Sequence, residues 1–158
     1  MNQNANISQV SQPALPIPPA EELTRGFDKQ GISLKASSFS ATIEEVSCLI
    51  CGCTKLTGHS IKLTSCGLIN IAQILLIKIE RFVDDVQKKF PNNEDFKNIS
   101  DLIFYLTVAL HDLKVTTLND ELKSNLAYGI SVVAEDFDQL IQSIPALLDS
   151  IAKESANV

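Results

Sequence analysis

Basic side chains are in deficit in this chain. Its 13 lysines and arginines stand against 19 aspartates and glutamates, giving a formal net charge of -6, so no broad positive surface awaits phosphate backbones or anionic lipid. A nucleic-acid partner is not expected. Long apolar runs are missing as well. The richest stretch, Leu68 to Ile79, is broken by Asn70, Gln73 and Lys78 and falls short of the roughly 18 residues of a spanning helix. No membrane span is expected. The opening residues Met1 to Asn6 lack the basic cluster and apolar run of a secretory signal peptide. That predicts a cytoplasmic protein whose four cysteines are reduced rather than paired.

Catalytic signatures are equally scarce. No Glu-x-x-His pair occurs, which removes the di-iron carboxylate bundle, and no Gly-rich phosphate loop of either common type is present. His111 stands beside Asp112, but adjacent helical residues point about 100° apart, and no serine or cysteine nucleophile motif accompanies them. A histidine at the edge of an apolar stripe accounts for it. The chain is expected not to be an enzyme.

What the sequence does have is apolar spacing of three and four, repeated in three stretches. Leu68, Ala72, Leu75, Ile79, Phe82 and Val86 form the first; Phe96, Ile99, Ile103, Leu106, Leu110 and Leu113 form the second. Leu126, Ile130, Val133, Phe137, Leu140, Ile144, Leu147 and Ile151 form the third. Each series lies along one side of an α-helix, and such stripes are buried by packing helix against helix at shallow angles. None contains a charged residue, so no buried titratable pair is available for catalysis. The flanks of the third stripe lack the Glu and Lys pairs of a parallel coiled coil. The sequence therefore predicts an all-α fold, an antiparallel bundle of about four helices over residues 40–154, preceded by a flexible tail over residues 1–39.

The tail is rich in Asn, Gln, Ser and Pro and shows no sustained period. Its Pro13, Pro16 and Pro19 fit a Pro-x-x-Pro spacing, without a neighbouring Arg or Lys to orient a polyproline II ligand, and a linker is the simpler reading. Ile32, Leu34 and Phe39 are its candidates for docking back onto the folded part. The first helix is expected to start near Thr42, where Thr42-x-x-Glu45 matches a capping box, and to end near Gly52. Residues 53–64 read as irregular. The second helix should run from Ser65 to Phe90, stopped by Pro91. The third is capped by Asn92 or Asn93, with Glu94 and Asp95 in its first turn, and ends at Leu113. The fourth begins after Thr117, in a Thr117-x-x-Asp120 spacing, and Pro145 either kinks it or opens a new helix.

Four cysteines and a histidine fall within one short segment: Cys48, Cys51, Cys53, His59 and Cys66. Thiolates and imidazole are the usual zinc ligands, and a turn at Gly52 would let three sulfurs converge. Yet the interval from Cys53 to Cys66 is not that of a standard finger and no second Cys-x-x-Cys follows, while free cysteine is among the most buried residue types. Packed, reduced thiols are favoured, with zinc as the alternative and no other cofactor expected. A redox role is disfavoured because the pair sits at the end of a helix, where the dipole opposes thiolate formation.

The favoured function is non-enzymatic: a helical bundle acting through protein–protein interaction, as an adaptor, regulator or translocated effector. The alternatives are a zinc-binding module built on the cysteine cluster and a carrier of an apolar ligand held between helices. In composition alone, the Asn/Gln/Ser-rich start resembles the uncleaved export signals of some bacterial effectors, which would imply export instead of a cytoplasmic location. Ile69, Ile74, Leu76 and Ile77 point away from the first stripe and mark the expected interaction surface, for a protein partner or a second copy.

Overall fold

The computed structural model describes residues 20–53, 58–115 and 119–156. Among these the backbone is helical apart from short turns: α1 (Ala20–Thr24), α2 (Lys29–Ile50), α3 (Gly58–Lys89), α4 (Glu94–Val115) and α5 (Asp120–Ala156). The last four form an antiparallel all-α bundle. Residues 1–19, with the Pro-x-x-Pro spacing, lie outside the described residues, as does Thr117.

Three helices begin on a side chain that accepts from the first-turn amides. Asp28 accepts from the Gly31 amide at 2.8 Å, Asn93 from those of Asp95 and Phe96 at 3.0 and 3.3 Å, and Asn119 from that of Leu122 at 2.9 Å, each satisfying N–H groups that have no partner within the helix. The first long helix thus starts more than three turns before Thr42. Thr42 is an interior residue whose hydroxyl donates to the Ser38 carbonyl at 2.7 Å, a back-bond that lets Ser and Thr sit inside a helix. Residues 29–39 therefore belong to the bundle and not to a tail, and Ile32, Ala36 and Phe39 are fully buried while Leu34 is exposed. Likewise α3 starts at Gly58, so residues 58–64 are helical where irregular chain was expected. Pro145 lies inside α5 without ending it.

Side-chain contacts fix the register. Lys29 pairs with Asp149, Ser37 bonds Asp138 and Gln142, and Phe39 meets Phe137 edge-on at 5.6 Å between ring centroids, so α2 and α5 run antiparallel. Gln87 with Ser100 and Asn70 with Lys114 align α3 and α4. Phe27 with Phe82, and Lys89 donating to the carbonyls of Leu23 and Arg25, tie the α1–α2 turn to the end of α3. Each of the four long helices packs mainly on its two neighbours around the ring, and α1 packs on α5. The result is up-down-up-down topology with short connections.

The core-facing residues follow a three-four alternation throughout α3, α4 and α5 and from Ile32 to Val46 in α2. On α3 they are Ile69, Ala72, Leu76, Ile79, Val83 and Val86, and on α5 Ala127, Ile130, Ala134, Phe137, Ile141, Ile144 and Leu148. That spacing matches shallow, left-handed packing of neighbouring helices. On α3 the core keeps Ala72, Ile79 and Val86 of the expected stripe but takes Ile69, Leu76 and Val83 in place of Leu68, Leu75 and Phe82, which are partly buried against its edge. Two of the four expected surface residues are accordingly core, with Ile69 2% and Leu76 1% exposed. Nearly every residue from Leu68 to Ile79 is apolar, so both frames satisfy the period, and only the facing helices select one.

Candidate binding surface

Large apolar side chains remain exposed, most of them between the middle of the bundle and the end where α4 closes and α5 opens, with Leu34 at the other end. Ile71, Ile74 and Ile77 stand on α3, Phe104, Tyr105 and Val108 on α4, and Tyr128, Val132 and Val133 on α5. The other half of α3 presents Lys78, Glu80, Arg81, Asp84, Asp85 and Lys88 outward. The Asn70–Lys114 and Gln87–Ser100 contacts set Ile77 at about the level of Val108. Phe104 and Tyr105 stack edge-on with ring centroids 5.9 Å apart, both in water. Soluble chains seldom leave such residues clustered without a use.

Of the expected surface, Ile74 (53% exposed) and Ile77 (44%) belong to this end. The α4 and α5 contributors were missed. Phe104, Val108 and Val115 fall at spacings of four and seven, off the main stripe of α4, and that second period was the signal available.

Between α4 and α5 the exposed end contains a groove of about 340 Å³, lined among others by Leu102, Tyr105, Ala109, Leu126, Gly129 and Val133. Its cause is local. Rows of edge residues from the two helices should meet along this seam, but Ala109 and Gly129 are too small to fill it, and Val133 is left 36% exposed. A Cβ at Gly129 would meet nothing within 4 Å. Val133, expected in the buried stripe, is instead a groove wall, with Ala134 taking the core position behind it.

The cysteine cluster sits on the opposite seam. At the end of α2, Gly52 adopts a φ of +74°, its amide donates to the Leu49 carbonyl, and the Cys53 amide reaches back to the Cys48 carbonyl at 2.9 Å. This is the Schellman ending that glycine permits. The predicted turn at Gly52 is present, and it leaves Cys48, Cys51 and Cys53 exposed and Cys66 half-buried on α3. Among the described residues no group of three or more His, Cys, Asp or Glu side chains is arranged to hold a metal; the His59 side chain lies outside the described residues. Loss of solvent, then the neighbouring Cys53, Glu44, Cys51 and Glu45, push the Cys48 thiol above its ordinary range. Cys51 receives the Ser124 hydroxyl at 3.2 Å. The surroundings of Cys48 disfavour a nucleophilic thiolate there. A shallow, wider hollow of about 610 Å³ opens beside them, between Glu44 and Ser47 on α2 and Tyr128 and Glu135 on α5.

His111 and Asp112 are both exposed on α4. No described helix is long and apolar enough to cross a membrane. Compared with protein-family models, curated proteins and solved structures, the chain matches none significantly.

Proposed function

We propose that this protein is a non-enzymatic helical bundle that works by binding another protein through the apolar end formed by α3, α4 and α5. The observation that carries this reading is the clustering of exposed large apolar side chains: Ile74, Ile77, Phe104, Tyr105, Val108, Tyr128 and Val132 stand on α3, α4 and α5, while the second half of α3 presents charges outward. An exposed aromatic pair next to a groove supplies the anchors that dominate most protein interfaces, since large rigid side chains bury much area at little entropic cost. Zinc binding at the cysteine cluster and carriage of an apolar ligand are the competing readings. The groove is open rather than an enclosed cavity, which supports the protein partner over a small apolar ligand.

Native mass spectrometry on the full chain isolated from its own cells, with and without chelator, separates the three. The expected result is a discrete added mass of polypeptide size that survives chelator. An added mass the size of zinc, lost together with the fold in chelator, or of a lipid, would overturn the proposal.

A further inference from the structure

We infer that the α4–α5 groove receives an amphipathic helix whose apolar face is bracketed at both ends by lysine or arginine. The inference rests on the protein-binding reading above and adds the chemistry of the partner.

The first argument is charge. No lysine or arginine lines the groove. One helical turn beyond its lining residues, an exposed carboxylate stands at each corner: Asp101 and Asp112 on α4, Glu121 and Asp136 on α5. These positions follow from spacing, because Asp101 precedes Tyr105 by four residues and Asp112 follows Ala109 by three, while Glu121 precedes Asn125 by four and Asp136 follows Val133 by three, and such intervals share a helix side. None of the four is in an ion pair among the described residues. Lys123, three residues before Leu126, shares the Glu121 corner, so the rim carries four carboxylates against one lysine around an apolar floor, and an occupant with an apolar centre and positive flanks is matched in both respects. A second copy of this chain offers apolar side chains too, but its own net charge of -6 and its own acidic corners would meet the carboxylates here with like charge.

The second argument is shape. The α4 lining from Leu102 to Ala109 is about 11 Å long and the carboxylate rims from Asp101 to Asp112 about 16 Å apart, at 1.5 Å per helical residue, which accommodates about three turns of a helix whose apolar residues at positions i, i+4 and i+7 lie over the lining. Gly129 sits at mid-groove and within α5, where glycine costs helix stability relative to alanine. No atom of this chain requires it, since a Cβ there would stand in open space. Its absence of a side chain bares the helix backbone and keeps the groove deep enough for another helix to approach, the use to which small residues at helix crossings are put. The wall beside it offers Tyr105, 66% exposed, as an aromatic surface over which lysine stems and apolar side chains can pack.

Two fluorescein-labelled synthetic peptides of about 15 residues test this against the full-length protein by fluorescence anisotropy. Both carry leucine at i, i+4 and i+7 on an alanine background; one has lysines at each end and the other glutamates. The lysine peptide is expected to bind at least about tenfold more tightly than the glutamate peptide, with an affinity that falls as salt is raised. Gly129→Leu, which fills open space and favours the helix, should retain the fold by circular dichroism and weaken the lysine peptide about tenfold or more. Asp112→Lys combined with Asp136→Lys should reverse the preference between the peptides. Equal affinity for both peptides, or indifference to Gly129→Leu, overturns the inference. So does a concentration-dependent dimer abolished by Gly129→Leu, because the occupant would then be a second copy. If the lysine peptide fails to bind while native mass still finds a polypeptide on the chain isolated from cells, only the partner chemistry is wrong. If that complex is missing too, the protein-binding reading falls with it.

Discussion

Leu76 and Ile77 are adjacent, similar in size and hydrophobicity, and fated differently. Leu76 is 1% exposed within the ring of four helices, whereas Ile77 points out beside α4 at 44%. Truncating a closely packed leucine removes its transfer free energy and leaves a cavity, so Leu76→Ala should cost about 3 kcal/mol, a fall in Tm of about 9 °C for a chain of this size. Ile77→Asp puts a charge into water and should leave stability within about 0.5 kcal/mol of the parent. Thermal melts of the two variants check the register of α3 directly. Comparable large losses in both would mean that Ile77 is core and that α3 turns its other side inward. No inspection of residues 68–79 alone could have decided this, because with apolar residues at both 68 and 69 and at both 75 and 76 two helical frames satisfy the period equally, and only the facing side chains break the tie.

At the scale of elements, α4 was read almost complete from its sequence, and α2 was not. Asn93, Glu94 and Asp95 announce a start, and one stripe with no apolar competitor on its core side, from Phe96 to Leu113, leaves one solution. In α2 the core row passes through Ala36, too small to register as apolar periodicity, and the segment is crowded with serines that usually signal loops. Three of them escape that cost by donating to carbonyls of the same helix or by facing α5: Ser33 to Lys29, Ser38 to Leu34, and Ser37 to Asp138. The cysteine turn at Gly52 was legible because a Schellman ending requires a residue of positive φ. The groove was not, since a gap between helices is a property of two sequences read side by side. The α2–α5 pairing also carries a pH signature. A hydrogen bond and charge attraction from Lys29, with a further contribution from Lys153, hold the Asp149 carboxyl below the ordinary carboxylate range. A folded pKa below the unfolded one stabilises above the unfolded value and loses that contribution as pH falls through the folded one. Asp149→Asn should therefore lower Tm slightly near neutrality, and the difference should close below about pH 4. A gap between the two melting curves that stays constant from pH 7 to pH 3 would contradict the pairing.

The whole molecule divides lengthwise in its chemistry although it has one continuous core. The end holding the Lys29–Asp149 pair, the Lys89 contacts and the charged half of α3 presents the surface of an ordinary solvated bundle. The opposite end leaves the residues of an interface in water: an aromatic pair, a row of isoleucines, and a groove that Ala109 and Gly129 keep open. Nothing in the core requires that asymmetry, since Ile74, Ile77, Phe104 and Val108 could be polar without disturbing a buried contact. Protein binding accounts for it, and it commits the account to a place on the molecule. The most direct measurement is site-specific photo-crosslinking in the protein's own cells, with the photoreactive residue at position 104 in one strain and at position 85 in another, the second falling among the charges of α3. The account predicts a discrete protein adduct from position 104 and none from position 85; adducts of equal yield from both positions, or none from position 104 while the protein is folded and abundant, would contradict it.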